Sequence, residues 1–320
     1  MVEYRHFRNV DPPQLVRLWH ASELGRGAAA AFTTDAFEHL VFCQPYFDHH
    51  GLVVALHHDE IVGAIHVGFG CLPDESALSK EIAVICLVMV HPEFRRQGIG
   101  RELVRRAEQY ARASGAAMLQ AGGSRHLDPF YHGLYGGSQV SGFLESDAAA
   151  KPFFESLGFQ IHQRFYVYHR DLTQMADPFH LRLINIRRKT EIAVVDQPTN
   201  PSWWWFTRYG RLDLLQFQLT PKAGGDPVVE VTVVGLDWYM PRWNVRSVGL
   251  VDMYVPEPNR RMGYGQALLI DLCKRLVREN IVLAEAHVEA DNDATIPLLE
   301  SLGFTLIDKG NTFRRAIEPA

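Results

Sequence analysis

Apolar and polar positions alternate over residues 2–7, which predicts a short strand. Asp11-Pro12-Pro13 then opens a helix with Leu15, Leu18 and Trp19 on one face. A less regular, alanine-rich helical stretch runs to about Phe42. Residues 52–56 and 61–69 read as the arms of a hairpin, with His57-His58-Asp59-Glu60 as its turn. Residues 82–90 are apolar at both parities, the pattern of a strand buried on both faces. His91-Pro92 ends it, because proline cannot donate to the ladder. Arg95-Arg96-Gln97-Gly98-Ile99-Gly100 leads directly into a helix striped by Leu103, Val104, Ala107, Tyr110 and Ala111. A strand at 116–121 and a glycine-rich stretch at 122–142 follow. A helix opened by Asp147 and closed by Gly158, then a final strand or strand pair at 159–168, complete the pattern.

Two segments then recur in the same order. The run from Val90 to Gly100 returns as Val255 to Gly265, with Arg95-Arg96 matched by Arg260-Arg261. Glu155-Ser156-Leu157-Gly158-Phe159 returns letter for letter as Glu300-Ser301-Leu302-Gly303-Phe304. The first pair is offset by 165 residues (260 − 95) and the second by 145 (303 − 158). Ordered repetition means a duplicated domain. The 20-residue difference (165 − 145) places an insertion in the first copy, and the glycine-rich stretch at about 122–146 is where it falls. The second copy predicts strands at 228–234, 248–255, 281–288 and from Phe304, with helices at 266–278 and 292–302. Domains of 1–174 and 175–320 result, with the boundary near 173–178, where polarity rises and a proline intervenes. Trp203-Trp204-Trp205 has no counterpart in the first copy. It is expected to pack between the domains or against the second sheet, a ligand platform being the other reading.

Composition narrows the classes. The chain has 320 residues, 47% hydrophobic and 22% charged, which suits two globular domains. A formal net charge of -5 points away from nucleic acid. No apolar run is long enough for a membrane span, and the start lacks the pattern of a signal peptide. Cys43, Cys71, Cys86 and Cys273 fit neither a zinc site nor a disulfide framework, Cys86 and Cys273 read as buried thiols, and a reducing cytoplasm is the expected setting. His49-His50 and His57-His58 read as solvated pairs, so no metal is expected.

The chemistry lies in the strand–loop–helix junctions. The first amides of a helix have no partner within it, and the helix dipole adds positive charge there. Gly98 and Gly100 remove side chains so that a pyrophosphate can approach the backbone, and Arg95 and Arg96 add charge. Arg260, Arg261, Gly263 and Gly265 repeat the arrangement. A tight turn with solvated arginines would look the same in one copy; two copies in one context favour the phosphate reading.

Arg95-x-x-Gly98-x-Gly100 and Arg260-x-x-Gly263-x-Gly265 resemble the acetyl-CoA signature of the GNAT acetyltransferase superfamily. The helix ending in Leu-Gly-Phe resembles that family's later motif, most closely from Asn292 to Phe304. The tandem is similar in architecture to mycothiol synthase, and only architecture is carried over. The resemblance implies an α/β (α+β) fold of two domains, each a mixed, mostly antiparallel sheet flanked by helices. It implies acetyl-CoA as the acyl donor and a small-molecule or peptide amine as acceptor, attacking directly in a ternary complex. It implies CoA contacts from Val88, Met89, Val90, Arg95, Arg96, Gln97, Gly98, Ile99, Gly100 and Arg101 in the first copy. In the second they come from Met253, Tyr254, Val255, Arg260, Arg261, Met262, Gly263, Tyr264, Gly265, Gln266 and Asn292.

The pattern departs from the family at the acid and base. The usual tyrosine is Phe154 in one copy and Leu299 in the other, and the usual glutamate is Val84 and Gly249. The insertion offers Tyr131 and Tyr135 as substitute acids, with His126 and His132 nearby. Its aromatic residues would equally serve to pin a glycine-rich loop to the surface, or to form a lid. Asp252, just before the second set of strand positions, could face an amine or be an ordinary strand carboxylate. Two functions stay open: an N-acetyltransferase, with chemistry in the first copy, and a catalytically silent CoA-binding sensor or scaffold. Monomer and homodimer are not distinguished.

Overall fold

The computed structural model describes residues 1–174, 181–198 and 201–318. The part of the expected domain boundary at 175–178 lies outside the described residues. In chain order the elements are β1 (Val2–His6), α1 (Pro12–Ala21), α2 (Thr34–Phe37), β2 (Leu52–His57), β3 (Glu60–Cys71), β4 (Leu78–Val90), α3 (Ile99–Ala113), β5 (Met118–Ala121), β6 (Phe143–Leu144), α4 (Ala150–Ser156) and β7 (Gln160–Asp171). There follow α5 (Leu181–Lys189), β8 (Thr190–Val195), α6 (Trp203–Tyr209), β9 (Leu214–Pro221), β10 (Val229–Gly235), α7 (Met240–Trp243), β11 (Ser247–Tyr254), α8 (Tyr264–Arg278), β12 (Leu283–Glu289), α9 (Thr295–Ser301) and β13 (Thr305–Ala316).

The residues form two compact units that interleave along the chain. The first is Met1–Arg164, Ser202–Arg211 and Lys309–Ala320; the second is Phe165–Pro201 and Leu212–Asp308. In the first unit β1, β2, β3 and β4 pair antiparallel in order, and β4 then pairs parallel with β5. The sheet is closed by the end of the chain, with Phe313 opposite Ala121 and Ala316 opposite Met118. In the second unit β8, β9, β10 and β11 pair antiparallel and β11 pairs parallel with β12. There the closing strand is the far half of β7, with Phe165 opposite Glu289 and Asp171 opposite Leu283. Residues 159–168 are therefore not simply the last strand of the first unit. The residues of β7 up to Arg164 belong to the first unit and those from Phe165 to the second.

Both parallel pairs carry a crossover helix, α3 and α8, as the geometry of parallel strands requires. Leu103, Val104, Ala107 and Ala111 of α3 are buried, as its stripe predicts. Leu268, Leu269, Leu272 and Cys273 of α8 share one core with Ala284, Ala286, Leu299 and Phe304. Asp11 precedes α1 but does not cap it through its side chain; its carboxylate takes two bonds of 2.7 Å from Arg5 and one from the Arg8 N–H. All four cysteines are free; Cys71 and Cys273 are buried, whereas Cys86 is only half-buried.

The glycine-rich insertion is interior rather than a lid or a surface loop. From Gly122 to Leu144 nearly every residue is buried, Arg125 being exposed. Glycines on the neighbouring strand make this possible: a Cβ at Gly68 would press on Phe130, and one at Gly70 on the His126 carbonyl oxygen. The tryptophan segment also packs with the first unit. Ser202 caps α6 through the Trp205 N–H, fully buried Trp204 lies 5.3 Å from the Tyr46 ring, and Gln44 bonds the Thr207 carbonyl at 2.7 Å. Arg208 and Asp128, both nearly buried, pair at 2.9 Å and bind α6 to the insertion. The indole rings thus serve packing, in a place the local sequence did not indicate.

Candidate active site

In the first unit the ladder between β4 and β5 runs from Ile82–Met118 to Ile85–Ala121, and the Gly122 N–H then bonds the Ile85 carbonyl. On its other side β4 stays paired with β3 as far as Val90. A bulge there leaves Cys86 as the extra residue, since His66 faces Leu87 and Val67 faces Ile85. Beyond Ile85, β4 and β5 have no further described pairing, and Val88, Met89 and Val90 line an opening there instead of a ladder. A cavity of about 660 Å³ occupies it. Val88, Met89, Val90, Arg95, Arg96, Gly98, Ile99, Gly100 and Arg101 all line this cavity, as do Phe143, Asp147 and Phe153.

The loop at its mouth is built on two left-handed residues, Arg96 (φ 62) and Gly98 (φ 85), which turn the chain so that α3 begins at the cavity. Arg95 knits the loop: its Nε donates to the Val90 carbonyl at 3.1 Å and its NH2 to that of Ser22 at 2.5 Å. Gln97 turns its amide to the Glu93 carbonyl at 3.1 Å. A Cβ at Gly100 would lie 3.0 Å from the Phe153 ring, which would have to give by a few tenths of an ångström.

The second unit repeats the backbone and changes the surroundings. β11 and β12 part after Leu250–Ala286, and β11 bulges near Asp252 (φ 49). Arg261 (φ 61) and Gly263 (φ 86) make the same turn, and Arg260 Nε donates to the Val255 carbonyl at 3.1 Å. Helix α5 packs over this loop. A Cβ at Gly263 would meet Arg182 at 3.2 Å and Ile186 at 3.5 Å, and Arg187 anchors the helix to Asp271 of α8. Met262 and Tyr254 are exposed, Tyr264 opens α8, and a Cβ at Gly265 would press on Met253. Gln266 reaches Ser301 at 3.5 Å. Asn292 spends its side-chain oxygen on the N–H groups of Ala294 (3.2 Å) and Thr295 (2.9 Å) at the start of α9.

Of the substituted family positions, Phe154 sits buried among Phe143, Phe159 and Phe313, and Val84 and Leu299 are buried too. Tyr131 is 1% exposed, holds a left-handed backbone (φ 65) and lies 3.1 Å from His66 Nδ1. Burial pushes its phenol well above the usual tyrosine range and pulls His66 down to about 3. Tyr135 is buried; its hydroxyl accepts from the Leu144 N–H at 3.4 Å, and its ring is 5.9 Å from Phe143 on the cavity wall. His132 stacks edge-on against Tyr209, and His126 faces Glu75 at 3.5 Å. His49 and His50 are exposed beside Asp48, the three side chains lying close enough to share an ion.

Two carboxylates escaped the sequence reading. Glu285 is buried directly opposite Gly249 and contacts His169 at 2.9 Å and His287 at 3.1 Å. Burial alone would raise its pKa, but His287 and His169 bring it far below the usual range. A charged residue in the apolar run 281–288 was its one signal. Asp147, read only as a helix start, lines the first unit's cavity.

Residues 48–161 match the family described as acetyltransferase (GNAT) domain, and residues 190–304 match acetyltransferase (GNAT) family. No curated protein matches the chain. Among solved structures the chain is similar to a tandem GNAT protein from the clavulanic acid biosynthesis pathway, at 17% identity and a TM-score of 0.67, covering 100% of both chains. It is similar to a GCN5-related N-acetyltransferase from Sphaerobacter thermophilus, at 16% identity and a TM-score of 0.63, covering 100% of this chain and 96% of that one. It also resembles a glucosamine N-acetyltransferase region of a fungal multi-domain beta-N-acetylglucosaminidase, at 15% identity and a TM-score of 0.71, covering 98% of this chain and 38% of that one. At these identities the likeness is one of fold.

Proposed function

The chain belongs to the GNAT acetyltransferase family, with two such domains in tandem, and from that premise we propose that it is an N-acyltransferase that binds acetyl-CoA in its first unit and acylates a primary amine. The observation that carries this reading is the parting of β4 and β5 after Ile85–Ala121, which opens the cavity between Val88–Val90 and the loop at Arg95–Gly100. That opening fits a pantetheine arm, because unpaired strand groups can bond an added extended chain. It fits a pyrophosphate at the start of α3, where unpaired amides meet an open glycine. Acetyl-CoA, when bound, supplies the activated acyl group.

The chain's own residues would hold and orient. Val88, Met89 and Val90 would align the arm, Arg96 and Arg101 would neutralise the phosphates, and α3 would add its dipole. Tyr131 and Tyr135 stay the candidate acids. Tyr135 is the nearer in this reading, one ring behind the cavity wall at Phe143. In the second unit Arg260 to Gln266, Met253 to Val255 and Asn292 would form a second site only where α5 gives way at Gly263. That shielding is also the observation favouring a non-catalytic second copy. The acceptor class is a small-molecule or peptide amine; glucosamine, the substrate in one structural relative's name, is one probe among others.

The test is release of free thiol from acetyl-CoA with glucosamine, lysine, spermidine and a peptide amino terminus as separate acceptors. Amine-dependent release is the expected result. Tight binding with no release from any amine would favour the silent CoA-binding alternative.

A further inference from the structure

The two Leu-Gly-Phe segments align residue 147 with residue 292, at the offset of 145. The aligned residues do the same local work. Asn292 accepts from the N–H groups of Ala294 and Thr295. Asp147 accepts from those of Ala149 and Ala150, their counterparts at the same offset. An uncharged amide therefore suffices to accept these N–H groups, and the negative charge at 147 exceeds what that capping role needs. That charge is also expensive to keep. The side chain is largely desolvated, and burial raises its pKa; the two N–H groups and Arg95 pull the other way without cancelling the rise.

The location gives the charge a use. Asp147 lines the same cavity as Val88, Met89 and Val90. Among the described residues that line that cavity, it is the one carboxylic acid; Glu23, which pairs with Arg95 at 3.5 Å, lies outside the lining. The other ionisable groups there are Arg95, Arg96 and Arg101, whose guanidinium groups are donors without an acceptor atom. The β4 wall contributes no ionisable side chain.

We propose that Asp147 is the proton acceptor for the attacking amine in the first unit, filling the role left open by Val84. The inference rests on the acyltransferase reading. As the amine nitrogen bonds to the acyl carbon, Asp147 takes one N–H proton. The carbon–sulfur bond breaks with its electron pair going to sulfur. The thiolate takes one proton from the neighbouring acid, and Asp147 returns its own proton to that acid through solvent, so both groups are restored and no net proton is exchanged.

Asp147→Asn is the decisive variant, because asparagine already performs the capping role at residue 292. The expected result is a fall in kcat of about 10²–10⁴-fold with each amine that turns over, the usual contribution of a general base. The calorimetric Kd for acetyl-CoA should stay within about twofold. The acid limb of the kcat–pH profile should vanish in Asp147→Asn and return in Asp147→Glu. A kcat within about threefold of the parent overturns the proposal, as does a Kd that weakens in step with kcat. Carboxyl-carbon NMR titration of Asp147 in the acetyl-CoA complex decides the matter without an acceptor. A midpoint above that of free aspartate supports the role, and an ordinary midpoint overturns it. Failure of the unaltered protein to bind acetyl-CoA at all would instead remove the acyltransferase reading itself.

Discussion

At Gly98 the direction in which a side chain would project is open for 4 Å, whereas at Gly263 it meets Arg182 at 3.2 Å and Ile186 at 3.5 Å. The loops themselves hardly differ. Each glycine has φ within a degree of the other, and each arginine donates to the preceding valine carbonyl at 3.1 Å. A motif of this kind specifies a backbone turn with outward-facing amides. Whether a ligand reaches those amides depends on what the rest of the chain lays across them. In the first unit the chain leaves a cavity, and in the second it lays down α5, fixed by Arg187 on Asp271.

The largest effect that would break the comparison is on turnover. Gly98→Glu brings a carboxylate and a strained left-handed side chain to the phosphate position, where like-charge contact costs several kcal/mol. Acetyl-CoA turnover should fall by roughly a hundredfold or more, while Gly263→Glu leaves it within about twofold. Equal losses from the two variants would contradict an unequal pair of loops. Next in size is the buried pair that ties α6 to the insertion. Arg208→Ala leaves the Asp128 carboxylate without this partner and should cost the first unit about 3–5 kcal/mol, read as an earlier denaturant midpoint. A change confined to probes in the second unit would place α6 elsewhere.

A third contrast concerns acid. His66 is held neutral in the fold, with its pKa near 3, against about 6.5 in the unfolded chain. The unfolded state therefore binds the extra proton first as pH falls. Stability of the first unit should be full above about 6.5 and decline progressively towards pH 3. His66→Gln should flatten that decline; an unchanged acid slope would show that another group governs it. The smallest effect expected is at the shield. Arg182→Ala removes the nearer of the two side chains over Gly263 and should add only a weak second acetyl-CoA site. No change in stoichiometry would mean that Ile186 and the body of α5 suffice to close the loop.

The sequence was most legible where chemistry is local. Two arginine–glycine turns, each between an apolar strand and an amphipathic helix, foretold the loops, and their ordered repetition foretold the duplication. Pairings between distant segments were not legible. Nothing in residues 159–168 says that Phe165 will face Glu289, because strand partners are chosen by available edges rather than by the strand's own pattern. The insertion misled for a related reason. Its glycines suggested an exposed loop, whereas Gly70 and Gly142 permit main-chain contact in the interior and Gly68 leaves room for the Phe130 ring. Trp204 had the composition of a buried residue without an address, which contacts such as Tyr46 and the Arg208–Asp128 pair supply. Asp147 was read as a helix start; α4 begins at Ala150, and the Asp147 carboxylate accepts from the N–H groups of Ala149 and Ala150 ahead of it, while its place on the cavity wall required the fold.

Calorimetric titration of acetyl-CoA into the unaltered chain tests the central claim most directly. One tight site per chain is expected, lost in Gly98→Glu and kept in Gly263→Glu. Two sites of equal affinity, or a single site lost only in Gly263→Glu, would contradict it.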